Sequence, residues 1–96
     1  MATQLRRYEV SEGQMDRFLG WIPKVWAARA VYGFTVDSAV IDRENNEFVW
    51  VTSHPDDYDA ALEVYNASAE RKAVFDGWES ALDKLHVSWV EPISFP

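Results

Sequence analysis

Two kinds of periodicity divide the chain, and the clearer one is helical. Apolar side chains recur three or four residues apart over residues 15–30. The members of this stripe are Met15, Phe18, Leu19, Ile22, Val25, Trp26 and Arg29 or Ala30. Pro23 lies inside the stripe, and because proline removes a backbone hydrogen bond and crowds the preceding turn, we expect a kink near Gly20. The helix is predicted to end before Gly33, which suits a left-handed cap.

Segments rich in β-branched and aromatic residues flank this helix and recur near the end of the chain. They predict strands at 5–10, 34–41, 47–53 and 86–91. The polar residues 42–46 favour a turn, so the second and third strands are expected to form a hairpin. The third strand is apolar on both faces, which is typical of a central strand covered on both sides.

A second helical region is predicted between the third and fourth strands. Ser53 or His54 caps its start, Pro55 lies in the first turn, and two acids follow at the positive end of the helix dipole. Its first buried stripe comprises Tyr58, Ala61, Leu62 and Tyr65. Ser68 restarts the helix as a cap, and a break is expected near Gly77. The second stripe comprises Val74, Phe75, Trp78, Leu82 and Leu85.

The order strand, helix, strand, strand, helix, strand predicts an α+β fold of the ferredoxin-like, split βαβ kind. Its four-stranded antiparallel sheet has the first and third strands in the middle and two helices on one face. With 96 residues, the chain is expected to form one domain over 1–96. Since the helices cover one face only, we expect a second copy on the other, giving a homodimer. Fourteen aromatic residues, five of them tryptophan, favour such a second buried surface.

Composition excludes several kinds of site. The absence of cysteine removes disulfides, thiolate zinc sites and cysteine nucleophiles, and the two histidines lack metal-ligand spacing. We therefore expect no metal and no other cofactor. A net charge of −7 argues against nucleic acid as a partner; solubility explains it, and a cationic ligand is the alternative. Without a signal-like segment or a membrane-length apolar run, we expect a cytoplasmic protein that does not bind membranes.

Five segments follow one another along nearly the whole chain in a recognisable order. They are Leu5-Arg6-Arg7-Tyr8-Glu9-Val10, Glu12-Gly13 before the long helix, Tyr32-Gly33-Phe34, Glu47-Phe48-Val49-Trp50 and Tyr65-Asn66-Ala67-Ser68-Ala69-Glu70-Arg71-Lys72-Ala73. Together they resemble bacterial NIPSNAP-like proteins of the dimeric α/β-barrel superfamily. The resemblance implies a ferredoxin-like subunit whose sheet packs face to face with that of a second subunit, with the helices outside.

The same resemblance implies a range of activities rather than one. The superfamily includes cofactor-free monooxygenases, small cyclases, haem-degrading enzymes and decarboxylases, and many use a pocket between one subunit's sheet and its helices. No single catalytic motif spans it, so no catalytic residue is carried over. The chain departs from the family at Ser53-His54-Pro55, so His54 is a candidate functional residue specific to this chain.

Three residues are candidates for catalysis. His54 leaves the central strand on the same side as Trp50, and histidine suits proton transfer near neutral pH; otherwise it caps the helix or faces water. His86 and Trp89 lie on opposite sides of the last strand. If His86 is not catalytic, it is a hydrogen-bonded interface residue. Asp37 interrupts an apolar strand. It is either an acid in a pocket, an ion-pair partner or an edge residue facing water. No acid lies where it would orient a histidine, so a Ser-His-Asp triad is not predicted.

A pocket is predicted between sheet and helices within one subunit. Its expected lining is Tyr8, Ile22, Trp26, Trp50, Tyr65 and Trp78, with His54 near the mouth. The kink at Pro23 opens a gap there for a small apolar or aromatic ligand. The sequence leaves open whether Trp50 faces this gap or the partner sheet. Arg6 and Arg7 are ion-paired, lie at an edge facing water, or supply an anion-binding arginine to the pocket.

Three functions remain compatible with these patterns. The first is a cofactor-free enzyme, monooxygenase- or cyclase-like, acting on a small apolar or aromatic molecule. The second is a non-catalytic binder of such a molecule, and the third is a protein-interaction module whose dimer face is its essential surface. The chain contains no phosphate-binding loop and no dinucleotide fingerprint, so nucleotide chemistry is not predicted.

Overall fold

A computed structural model describes residues 2–95. The elements in chain order are β1 (Ala2–Val10), α1 (Met15–Ala30), β2 (Thr35–Asp42), β3 (Glu47–His54), α2 (Tyr58–Asn66), α3 (Ala69–Phe75) and β4 (Leu82–Val90). The strands form one antiparallel sheet in the order β2-β3-β1-β4. The predicted α+β, ferredoxin-like fold is therefore confirmed, with β1 and β3 in the middle.

The register of the strands determines which side chains share a face. Arg6 in β1 lies opposite Trp50 in β3 and Val87 in β4, so these three side chains lie on the same side of the sheet. The helices pack on this side, which we call the helix face. The other side carries no helix of the described chain, and we call it the open face. Val49 and Val51 lie on the open face and are half-buried.

Helix α1 runs unbroken through Pro23 and buries one stripe of its surface. The buried side chains are Met15, Phe18, Ile22, Val25, Ala28 and Arg29. Its end depends on Gly33, whose φ is +89°. A Cβ at this position would lie 2.9 Å from Nε2 of His54, so both the backbone and the close approach require glycine.

The second half of the chain corrects the predicted helix boundary. Helix α3 ends at Phe75, Gly77 has a φ of +69°, and β4 already begins at Leu82. Leu82 and Leu85 are three residues apart, which fits a helix, but a bulge lets both of them face the helices from a strand paired with β1. Trp78 consequently lies in the connection before β4, not on a helical stripe.

Two aromatic clusters fill the space between helices and sheet. The cluster under α1 includes Tyr8, Phe18, Phe48 and Trp50, and the cluster under α2 includes Phe34, Tyr58 and Tyr65. A buried polar chain fixes α2 on the sheet: the Tyr58 hydroxyl donates to Gln4 at 3.1 Å and lies 2.8 Å from the Thr52 hydroxyl.

Helix α1 is also tied to α3, by Trp21. Its indole N–H donates to the Val74 carbonyl at 2.8 Å. Its ring stacks on Trp78, with the two centroids 4.1 Å apart and the planes 5° from parallel. Over β4 the helices leave the sheet uncovered, and Trp89 is 55% exposed. No helix among residues 2–95 is long and apolar enough to cross a membrane.

Candidate functional site

A cavity of about 330 Å³ lies between the sheet, α1 and the α2–α3 pair. This volume is at the lower end of the roughly 300–1,000 Å³ found for small-molecule sites. Strands β1 and β4 form its floor, and the two sets of helices form its walls. The polar and aromatic side chains that line it include Arg6, Tyr8, Arg29, Tyr65, Arg71 and Phe75.

Arg29 enters this cavity from the buried stripe of α1. It follows Ile22 and Val25 at helical spacing, so its side chain emerges on the face that packs on the sheet, and it is 5% exposed. Three aromatic rings surround its guanidinium, whose Cζ lies 5.1 Å from the ring centroid of Tyr65, 5.5 Å from that of Phe34 and 5.7 Å from that of Trp50.

These rings contact the charge of Arg29 but do not satisfy its N–H groups. Nε and Nη1 of Arg29 are buried and have no hydrogen-bond partner among residues 2–95. An unsatisfied buried donor costs about 1–3 kcal/mol, and more on a charged group. The aromatic contacts therefore compensate only part of the cost of burial, and these donors have no hydrogen bond within residues 2–95.

Tyr65 reaches the same cavity from the last turn of α2 and is 1% exposed. Its hydroxyl has no hydrogen-bond partner within the described chain. Burial raises the pKa of Tyr65, and the nearby Arg29 and Arg71 charges oppose that rise without cancelling it. The phenol is therefore protonated at neutral pH, and its O–H is an unused donor on a residue that lines the cavity.

Arg6 provides a second guanidinium, from the floor. Its Cζ lies 5.9 Å from the Tyr8 ring centroid, and its buried Nε has no partner in residues 2–95. Arg71 lines the cavity from α3, with its Cζ 4.1 Å from the Phe75 ring centroid. No aspartate or glutamate is among the lining residues. In a chain of net charge −7, this cavity is therefore a local concentration of positive charge.

An apolar groove of about 320 Å³ lies on the other side of α1, beside Pro23. It is more open than the cavity, and its lining is Ile22, Pro23, Trp26, Val36, Ala39, Phe48 and Trp50. Trp50 lies on the helix face, and its indole N–H donates to the Tyr8 hydroxyl at 3.1 Å. This bond connects the groove to a wall of the cavity.

The six residues predicted to bind a ligand thus divide among three places. Tyr8, Ile22 and Tyr65 line the cavity. Trp26 and Trp50 line the groove, which Ile22 also borders. Trp78 lies in a shallow surface depression between α1 and α3, stacked on Trp21.

His54 lies on the helix face and is 7% exposed. Its Nδ1 accepts a hydrogen bond from the Asp56 backbone N–H at 3.1 Å, so Nε2 carries the proton and donates to the Tyr32 carbonyl at 2.9 Å. Both ring nitrogens are therefore occupied by backbone groups. His54 does not line the cavity, and its contacts fix the end of β3 against the end of α1.

His86 and Asp37 lie on the strands that form opposite edges of the sheet. On the open face, Nε2 of His86 donates to the Glu9 carboxylate, and this bond lowers the pKa of Glu9. Asp37 occupies a bulge in β2 and accepts hydrogen bonds from the hydroxyls of Thr35 and Ser53 at 3.2 and 3.1 Å. The three catalytic candidates are thus not brought together, and none lines the cavity.

Arg29 and Arg71 line the cavity, and sequence reasoning singled out neither as a functional residue. The sequence carried one indication of Arg29. A charged residue in the apolar stripe of a helix is expected to be buried, and a buried charge needs a partner. Arg6, in contrast, was predicted to be ion-paired, at an edge facing water or anion-binding, and it forms no ion pair within residues 2–95. No group of three or more His, Asp or Glu side chains in that range is arranged to hold a metal ion.

Neither a family model nor a curated protein sequence matches the chain, but solved structures do. A NIPSNAP domain protein from Burkholderia xenovorans has a TM-score of 0.81 at 19% identity, over 100% of this chain and 98% of that chain. A NIPSNAP family protein from Agrobacterium tumefaciens has a TM-score of 0.82 at 14% identity, over 100% and 91%. An antibiotic biosynthesis monooxygenase has a TM-score of 0.72 at 14% identity, over 98% and 100%. The chain therefore has the ferredoxin-like fold that NIPSNAP proteins share with these monooxygenases.

Proposed function

We propose that this protein binds a small molecule with an apolar or aromatic body in the cavity between α1, the α2–α3 pair and the sheet. One observation carries the proposal: the cavity has aromatic and aliphatic walls, and two of the residues that line it, Arg29 and Tyr65, have buried donors without partners among residues 2–95. Small-molecule sites typically combine such walls with a few convergent polar groups.

The geometry favours binding over catalysis by the residues that the sequence singled out. His54 uses both ring nitrogens on backbone groups, His86 lies on the open face of β4, and neither it nor Asp37 lines the cavity. A neighbour in fold is an antibiotic biosynthesis monooxygenase, which supports a monooxygenase-like enzyme as the second candidate. In that case Tyr65, the protonated phenol in the cavity, is the group to test for chemistry.

We also propose that the protein works as a homodimer through the open face. The centre of this face is apolar, with Leu5 opposite Val51, and no helix of the described chain covers it. A second copy would bury it, as the NIPSNAP-like resemblance implies. The expected location remains the cytoplasm.

The binding proposal is tested by filling the cavity. Val25 is 5% exposed and lines the cavity from α1. We expect Val25→Phe to fold, at a cost of about 1–3 kcal/mol, and to lose binding of small aromatic fragments by at least about tenfold. Binding is measured by ¹H–¹⁵N NMR with a fragment set that includes 2-naphthol and 2-naphthamide.

Val64→Phe is the matched control, because Val64 lies on α2 and is 57% exposed. It should bind the fragments as the wild type does, with shifted amides around Ile22 and Tyr65 in both proteins. Fragments that bind equally well to Val25→Phe, or no fragment binding at millimolar concentration, would contradict the proposal.

A further inference from the structure

We propose that the ligand of the cavity is an organic carboxylate, whose single negative charge is bound by Arg29 and Arg6 and by the Tyr65 hydroxyl. This inference rests on the proposed binding function and adds the chemical class of the ligand. Neutral apolar molecules, which the sequence favours, would leave these polar groups unpaired. The net charge of the chain is strongly negative and favours cations as ligands, whereas the lining of the cavity is positively charged.

The cavity is lined by positive charges that no carboxylate of the described chain balances. Arg6 and Arg29 lie on the same cavity, and neither forms an ion pair within residues 2–95. Arg7, the neighbour of Arg6 in sequence, lies on the open face and has the Glu47 carboxylate 3.1 Å away. The chain therefore pairs the half-buried Arg7 and leaves Arg6, Arg29 and the third cavity arginine, Arg71, without a carboxylate. A ligand carboxylate would supply the missing charge.

Contacts with aromatic rings orient the donors of Arg29. The rings of Phe34, Trp50 and Tyr65 surround the Arg29 guanidinium and restrict its rotation. Because these contacts hold the group without using its hydrogen bonds, the N–H groups are positioned before a ligand arrives. Arg6 brings a donor from the floor and Tyr65 brings a hydroxyl from α2. Donors thus reach the cavity from three different elements.

The helix ends around the cavity favour a singly charged carboxylate over a doubly charged phosphate. Arg29 lies in the last turn of α1, and Tyr65 in the last turn of α2. The carboxyl ends of helices carry partial negative charge, which opposes a doubly charged anion more strongly than a singly charged one. The sites that bind phosphates use helix amino termini and glycine-rich loops, and no glycine is among the lining residues. A carboxylate fits these surroundings better than a phosphate does.

The remaining walls define the body of the ligand. The apolar lining includes Tyr8, Ile22, Leu62, Phe75, Leu82 and Leu85. Aromatic and branched aliphatic side chains of this kind accept a flat hydrophobic group. The cavity volume of about 330 Å³ admits a bicyclic aromatic acid. We therefore assign the site to a compact aromatic or branched aliphatic monocarboxylate.

The test compares three probes of one shape: 2-naphthoate, neutral 2-naphthamide and 2-naphthyl phosphate. Their dissociation constants are measured by calorimetry and by NMR, on wild-type protein and on Arg29→Gln, Arg6→Gln and Tyr65→Phe. In the wild type, we expect 2-naphthoate to bind at least about tenfold more tightly than either of the others. Arg29→Gln should remove this preference while 2-naphthamide binding persists, and Arg6→Gln and Tyr65→Phe should reduce it.

Arg43→Gln is the matched control, because Arg43 is exposed and pairs with Asp16 at 3.4 Å. It should keep the full preference. Amide spectra identify the folded variants, and Arg6→Gln provides the same comparison if Arg29→Gln does not fold. Equal binding of 2-naphthoate and 2-naphthamide, a preference that survives both arginine variants, or tighter binding of 2-naphthyl phosphate would overturn the carboxylate assignment. Failure of all three probes to bind would instead overturn the proposed binding function.

Discussion

At the scale of single residues, Gly33 and His54 show how one close contact joins two elements. Gly33 follows α1, and its α-carbon faces the imidazole that ends β3. The ring keeps its position through the hydrogen bonds to the Tyr32 carbonyl and from the Asp56 N–H. A histidine with this many backbone contacts serves the fold, although from the sequence alone the same residue is a reasonable candidate for proton transfer.

Gly33→Ala is therefore predicted to destabilise the protein by about 1–3 kcal/mol. The new methyl group would strain a backbone at φ +89° and would meet His54 Nε2 at 2.9 Å. Gly20→Ala is the control, since Gly20 lies within α1 with nothing within 4 Å of its added Cβ, and it should stabilise the protein by about 0.5–1 kcal/mol. Chemical denaturation measures both values, and an unchanged midpoint for Gly33→Ala would contradict the prediction.

At the scale of elements, β4 depends on β1, because the helices leave much of it exposed. On the open face the two strands are linked by the bond from His86 to Glu9. This bond is the largest cause of the lowered pKa of Glu9, and a smaller contribution comes from the charge of Lys84. A carboxyl group whose pKa is lowered on folding stabilises the protein above its ordinary pKa. That stabilisation is lost as the pH falls through the lowered value.

We predict that His86→Gln returns the pKa of Glu9 toward its ordinary value more than Lys84→Gln does. An NMR titration of the Glu9 side-chain carboxyl measures the midpoint in each protein. Glu9→Gln should correspondingly lower the stability at neutral pH and have little effect in acid, below the lowered Glu9 pKa. The opposite order of the two midpoint shifts would mean that the strand-to-strand hydrogen bond is not the main cause.

The elements also explain how far the sequence could predict the structure. The α1 stripe, the β2–β3 turn and the restart at Ser68 follow from local chemistry, and all three are present. The end of the second helical region depends on pairing with β1, seventy residues away, and so Leu82 and Leu85 looked helical. The cavity depended on tertiary contacts in the same way: the sequence placed Tyr65 on a buried stripe, but only the packed fold brings it to Arg29 and Arg6.

At the scale of the whole molecule, the sheet separates the two surfaces for which we propose different roles. The helix face encloses the cavity, and the charged residues that line it all belong to one chain. The open face combines an apolar centre at Leu5 and Val51 with a polar end, where Arg7 contacts Glu47 and Glu9 contacts His86. Because the two sites lie on opposite sides of the sheet, we expect dimerisation and ligand binding to be separable by mutation.

The last prediction tests that separation. Val51→Asp puts a charge at the centre of the open face, where a dimer interface of about 1,200–2,000 Å² would bury it. We expect light scattering to detect a dimer for the wild type at micromolar concentration and a monomer for Val51→Asp. Val64→Asp, an equally large change on the exposed side of α2, should stay dimeric. If Val51→Asp folds as a monomer and still binds 2-naphthoate, the cavity is complete within one subunit. A wild type that is already monomeric would refute the proposed dimer, and the apolar centre of the open face would then be exposed in the native protein.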